Sequence, residues 1–259
     1  KKKNMEIKGK YKHGIITQHR DGTTEIFIPK IPFDTSQLPP DTTPTDKRNW
    51  SQEQIEERER ENIDRSTRRS RKTVKNHVKN NPHTHFVNLT YDFNKYGTNE
   101  KRFNRMKNWL KDMRKKHGKF DYCFVPEHHT EDISKGLIHW HGVMNLEKFE
   151  LIRATDPNTG KEIFDRYGNE VYNLKDWLTT GHTHVTPLRD KKKAANYLTK
   201  YITKDIESVV GKGQKKYWSS RGEKPAESYL TEEEALQYLE NHTISFENER
   251  GYYLDINSD

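Results

Sequence analysis

Cysteine, apolar residues and uninterrupted hydrophobic runs are all scarce in this chain. Its 259 residues include a single cysteine, Cys123, which excludes an internal disulfide and a cysteine-based zinc site and points to a reducing compartment. The metal ligands on offer are therefore His, Asp and Glu, and thirteen histidines are present to supply them. No run of eighteen apolar residues occurs and no apolar stretch follows the Lys-rich start, so the expectation is a soluble protein with neither a membrane span nor a signal peptide. Only 30% of residues are hydrophobic against 33% charged, which predicts one domain of ordinary size with extensions and much of the chain at the surface. No fixed-period repeat is present, which excludes a solenoid.

Charge of one sign is scarce locally. The formal net charge is +8, but it is unevenly distributed. Residues 1–80 hold 19 basic and 12 acidic side chains, residues 81–225 hold 27 and 18, and residues 226–259 hold 1 and 9. A strongly basic body with an acidic tail is the electrostatic footprint of a protein that meets a polyanion, and nucleic acid is the first candidate. A solvated charged surface would give the same composition.

Residues 1–45 read as a basic extension. It contains a hairpin, Gly14–Thr17 and Thr24–Ile28 around the turn pair Asp21-Gly22, followed by a linker with Pro39, Pro40 and Pro44. Residues 46–80 read as a charged helical arm, because Ser51 to Lys79 lack Gly and Pro. Its glutamates come first and its arginines and lysines last, in agreement with the helix macrodipole. A solvated linker helix and a DNA-contacting arm fit it equally. The acidic tail, 226–259, offers Tyr229, Leu230, Leu236, Tyr238 and Leu239 for a short helix packed on the main domain or for a partner.

Residues 81–225 carry the main domain. His85–Tyr91 alternates and is rich in β-formers, so it predicts a strand. Phe103, Met106, Trp109, Leu110 and Met113 recur at helical spacing and predict an amphipathic helix that Gly118 ends. Phe120–Glu127 and Leu137–Leu146 predict a paired hairpin, and residues 151–172 a two-stranded excursion. A short helix near 174–178, a strand near 182–187 and a helix from Asp190 to about Glu207 complete the pattern. The expected fold class is α+β, a central antiparallel sheet with flanking helices set on one face.

Two constellations carry chemistry. In Ile138-His139-Trp140-His141-Gly142 the side chains alternate, so His139 and His141 share a face and can reach one ion with neutral imidazoles. The third ligand could come from Glu127, or from His128 or His129 beside it. Imidazole with carboxylate suits a divalent ion such as Mg²⁺ or Mn²⁺ acting as a Lewis acid. The last helix reads AANYLTKYITKD, with Tyr197 and Tyr201 four apart on one face and each followed three residues later by a lysine, Lys200 and Lys204. A phenol is a poor nucleophile at neutral pH, and nearby ammonium groups with a divalent ion could make one serviceable toward a phosphodiester. Packing of both rings on the sheet is the plainer account of the same residues.

FVNLTYD (86–92), PEHHTEDISKGLIHWHGV (126–143) and AANYLTKYITKD (194–205) together resemble the three ordered motifs of the HUH endonuclease superfamily, specifically its rolling-circle replication initiator (Rep) proteins. The two-tyrosine form is similar to the initiators of small single-stranded DNA phages and of related bacterial plasmids and prophages. The resemblance covers roughly residues 65–225. It implies a palm related to the ferredoxin-like fold, a divalent metal held by His139, His141 and an acid for which Glu127 is the nearest match, and a tyrosine that attacks single-stranded DNA at an origin hairpin. The product would be a 5′-phosphotyrosine and a free 3′-OH. Tyr201 matches the sole tyrosine of single-tyrosine relatives, with Lys204 as its partner lysine; Tyr197, with Lys200, would be the second nucleophile. Glu127 lies twelve residues before His139, a longer separation than many relatives have. No GxxxxGK[ST] occurs, so a host or separate helicase would act with a polymerase, in the cytoplasm of a bacterial host. Conjugative relaxases and HUH transposases share this chemistry, and an origin-binding protein without catalysis is the alternative from another class.

Overall fold

A computed structural model of the chain describes residues 11–34, 50–129, 136–156, 158–203, 210 and 215–257. In chain order the elements are β1 (Tyr11–Lys12), β2 (Gly14–Gln18), β3 (Thr23–Pro29), β4 (Phe33–Asp34), helix α1 (Gln52–Asn80), β5 (His85–Leu89), helix α2 (Asn99–His117), β6 (Tyr122–His128) and β7 (Ile138–Met144). They continue with β8 (Leu151–Arg153), β9 (Tyr172–Leu174), β10 (Thr183–Pro187), helix α3 (Lys191–Lys200), β11 (Trp218–Ser219), β12 (Ala226–Leu230), helix α4 (Glu232–Asn241), β13 (Phe246–Asn248) and β14 (Gly251–Asn257). The protein is α+β: among the described residues, two antiparallel sheets are flanked by four α-helices, besides the short β1–β4 pair. Among the described residues no helix is long and apolar enough to cross a membrane.

The chain divides into two compact units, residues 58–223 and the described residues up to 57 together with those from 224. In the second unit the sheet order is β12-β2-β3-β14-β13. The Asp21-Gly22 hairpin forms, with Gly22 at φ 87° and Asp21 Oδ1 accepting from the Thr23 amide at 3.0 Å. Ile26, Ile28, Leu230 and Leu254 bury one face of this sheet with Ala235 of α4. A capping box between Thr231 and Glu234 starts α4, worth about 1 kcal/mol. Thus β12 and β14, from the acidic tail, pair with the N-terminal hairpin.

Residues 58–223 build the sheet β11-β6-β7-β5-β10-β9-β8. Strand alternation splits its side chains into two cores. Val87, Leu89, Phe124, Ile138, Trp140 and Met144 face α2, meeting Met106, Trp109, Leu110 and Met113. Cys123, Val125 and Val143 face the other way, onto Val74 and Val78 of α1 and Ala194, Ala195 and Leu198 of α3. The expectation of helices on one face is therefore corrected: helices cover both. A fully buried apolar side chain contributes about 1.5–3 kcal/mol, so each layer holds its helices firmly. The buried Trp109, Trp140 and Trp177 all place their indole N–H, on Asp176 O, Tyr91 Oη and Thr90 O. Burial pushes the lone Cys123 thiol up to about 12, which leaves it a small core residue.

The last turns of α1 are anchored in the main unit through apolar contacts and a buried polar network. His83 Nε2 lies 3.2 Å from His77 Nδ1, and His77 Nε2 lies 3.1 Å from the Ser220 carbonyl. Asn81 Nδ2 donates to His77 O, and Lys191 Nζ donates to Asn81 O, joining the end of α1 to the start of α3. Burial above all, then the nearby His77 and Lys191, pushes His83 down to about 3. Because this lies below the usual histidine value near 6.5, the folded state holds His83 neutral and protonation favours unfolding. Stability should be intact above pH 6.5 and erode as pH falls toward 3, by about 1.4 kcal/mol per pH unit from this group. Urea midpoints measured across that range should fall less steeply in His83→Gln than in the wild type.

Candidate functional site

Register brings the predicted residues together. In the β6–β7 ladder Glu127 sits directly across from His139, and Val125 across from His141. Period two then places Glu127, His139 and His141 on the face that carries α3, and puts His128 on the α2 face. Glu127 Oε2 lies 2.6 Å from His141 Nε2 and 3.2 Å from His139 Nε2, and the two imidazole nitrogens lie 2.8 Å apart. The three potential ligand atoms all fall within 4.8 Å of one another. His129 stands beside this cluster, its ring packed on His139 at 4.1 Å.

The chemistry of this donor set fits a metal ion. Burial, then the neighbouring His141 and His129, pushes His139 down to about 3, so it is an unprotonated imidazole with a lone pair to give. His141 Nδ1 lies 2.6 Å from Asn88 Oδ1. An amide oxygen only accepts, so that contact assigns the proton to Nδ1 and leaves the Nε2 lone pair facing Glu127 and His139. Two nitrogens and a carboxylate oxygen converging without a cation are mutually repulsive, and a divalent ion relieves this. The cluster could hold a metal ion on this ground. Asn88 stands across from His141 in the β5–β7 register, and strand parity could have identified it from sequence. Asn88→Ala is expected to weaken divalent-ion binding by about 10- to 100-fold while leaving the fold in place, a change readable by isothermal titration.

The tyrosines approach from α3. Asp190 caps this helix by accepting from the Lys193 amide, and Ala194, Ala195 and Leu198 seat it on the sheet. α3 ends earlier than the expected Glu207: its last helical residue is Lys200, and Tyr201 follows as the C-cap. The Tyr201 and Ile202 amides bond three residues back, to Leu198 O and Thr199 O, which tightens the turn. Tyr197 and Tyr201 nevertheless keep one face. The Tyr201 ring stacks on His141 with centroids 4.4 Å apart and planes 5° apart. Tyr197, 37% exposed, meets Tyr201 edge-on at 5.2 Å, His141 at 5.8 Å and Phe86 at 5.4 Å. Each aromatic contact is worth about 0.5–1.5 kcal/mol beyond burial, so the pair is held against the histidines. The Tyr201 phenol is raised well above its ordinary value, by burial first, then hydrogen bonding with Tyr197, then the negative Glu127.

The Lys200 ammonium lies 5.8 Å from the Tyr197 ring centroid, at the outer tyrosine. The other predicted lysine, Lys204, lies outside the described residues. Sequence reasoning also missed Arg71 of α1, whose Nε donates to the Ile202 carbonyl at 2.7 Å and so fixes the peptide next to Tyr201. Only its place in an arginine run could have singled it out.

Residues 84–206 match the family described as replication-associated protein ORF2. That stretch is somewhat under half the chain, and it contains Asn88, Glu127, both histidines and both tyrosines. The similarity supports a Rep-type protein that acts in DNA replication. No curated protein and no solved structure matches the chain significantly.

Proposed function

We propose that this protein is a rolling-circle replication initiator of the HUH two-tyrosine type, which nicks and rejoins single-stranded origin DNA. The observation that carries the reading is the stack of Tyr201 on His141, which sets a phenol beside three converging metal-ligand atoms. In the first step the Tyr201 oxygen attacks a phosphodiester, the phosphorus–O3′ bond breaks, and the phenolic proton ends on the departing 3′-oxygen. The products are a 5′-phosphotyrosine and a free 3′-OH for a polymerase. Rejoining reverses this: a 3′-OH attacks the phosphotyrosine and the phenol is restored. Tyr197, packed against Tyr201 and with Lys200 beside it, would take a strand in a second transfer.

Glu127, His139 and His141 would hold Mg²⁺ or Mn²⁺. Bound there, a divalent ion polarises the phosphodiester and lowers the cost of charge developing on its oxygens. Around it the chain supplies position: Asn88 fixes the His141 tautomer, the stack fixes Tyr201, and Arg71 fixes the following peptide. Burial, Tyr197 and Glu127 hold the Tyr201 phenol above its ordinary value, so it rests protonated, and a divalent ion at the cluster would favour its use as a nucleophile. A separate helicase would expose the strand, and a host polymerase would extend it.

Incubation with labelled single-stranded origin oligonucleotide and Mn²⁺ tests the proposal. The expected result is a cleaved strand and a covalent protein–DNA adduct, both abolished by EDTA. Cleavage that survives chelation contradicts the metal assignment, and tight origin binding with no cleavage under any divalent ion favours a non-catalytic binder.

A further inference from the structure

One feature of residues 58–223 lies outside both the metal cluster and the matched stretch. A groove of about 280 Å³ is lined by Arg65, Ser66, Arg69, Ser70 and Thr73 along one face of α1 and by Tyr217. From Arg65 to Asn80 the helix carries seven Lys and Arg and no Asp or Glu. Arg65 and Arg69 are exposed, and neither guanidinium has an ion-pair partner among the described residues. Beneath them buried Lys216 donates to Thr67 Oγ1 at 3.0 Å, which ties the segment that carries Tyr217 to α1.

The geometry points to a binding subsite for the sugar-phosphate backbone of single-stranded DNA, with Arg65 and Arg69 each on one phosphate and a base stacked on Tyr217. Four residues of helix separate the two arginines, a rise of about 6 Å, which matches the step between successive phosphates of an extended strand. Guanidinium forks with serine hydroxyls beside them suit phosphate oxygens. One aromatic face beside a cationic track is how single strands are held without sequence preference. The same helix also holds the Ile202 carbonyl through Arg71, on another face from the groove. This subsite rests on the strand-transfer reading and adds to it a second place at which the strand is held.

The test is binding of the full chain to fluorescent oligodeoxythymidylate in EDTA over a salt series, with nicking measured separately on origin oligonucleotide. Arg65→Ala/Arg69→Ala should flatten the slope of log K against log salt by about 1.4, two phosphates at about 0.7 each on a single strand. Tyr217→Leu should weaken binding by about tenfold and leave the slope unchanged. Lys111→Ala/Lys115→Ala, an equal loss of charge from exposed positions on α2, should change the slope by much less. Equal slope changes in the two double variants would mean diffuse charge and overturn the subsite, as would wild-type binding by the groove variants. If the wild type fails to nick while the groove variants behave as stated, the strand-transfer reading fails and the subsite stands.

Discussion

A chain carrying Tyr197→Phe and Tyr201→Phe is expected to form no covalent adduct with origin DNA while binding it as the wild type does. Phenylalanine keeps both rings, so the stack on His141 and the edge contacts with Phe86 persist and only the two hydroxyls are lost. The single variants should differ. Tyr201 lies flat against His141 of the candidate metal cluster, whereas Tyr197 meets it edge-on and from farther away. Tyr201→Phe should therefore lower the first cleavage on the order of 10³-fold or more, the scale seen when a nucleophile is removed. Tyr197→Phe should leave that step largely intact and impair a second transfer. A denaturing gel of labelled adduct reads all three, and an undiminished adduct in the double variant would sink the mechanism.

Gly142→Ala is expected to cost about 3 kcal/mol or more and to remove the site along with the fold. Its β-carbon would meet the Phe124 ring at Cδ1 and lie 2.6 Å from the Cys123 carbonyl oxygen. Neither neighbour can yield, since Phe124 is wholly buried among aromatic side chains and the carbonyl belongs to a strand held in register on both sides of Gly142. The glycine follows His141 directly, so any displacement of β7 moves both imidazoles away from Glu127. A thermal melt followed by circular dichroism checks this. A shift corresponding to less than about 0.5 kcal/mol would show that the β6–β7 approach is looser than the structure has it.

The parts of this protein that announce themselves in sequence are those whose burial is apolar and periodic. The alternation in β5, β6 and β7 and the helical spacing of Met106, Trp109, Leu110 and Met113 reproduce the α2 core, and the same period selects Glu127 over His128 once the strands are paired. Burial by polar groups leaves no such pattern. α1 offers only Ile55, Ile63, Val74 and Val78 to a hydropathy reading, and its anchorage depends also on His77, Asn81 and Lys191, residues that read as surface. Without those contacts in view the helices fall on one face of the sheet; with them there are two covered faces. Pairing of β12 with β2 and β14 with β3 joins segments some two hundred residues apart, and nothing local in either segment specifies its partner. Asn88 is polar on a strand of β-formers, and its meaning depends on which residue stands across the ladder.

The most direct measurement is the identity of the residue that carries DNA. Trypsin places Tyr201 in the peptide Tyr201–Lys204 and Tyr197 in Ala194–Lys200, so nuclease trimming of the adduct followed by mass spectrometry separates the two nucleophiles. The account predicts a 5′-phosphotyrosyl nucleotide on Tyr201 after a first cleavage, with Tyr197 labelled when a second transfer is allowed. A nucleotide on any other side chain, or a nicked strand whose 5′-phosphate is bound to no protein at all, would contradict it.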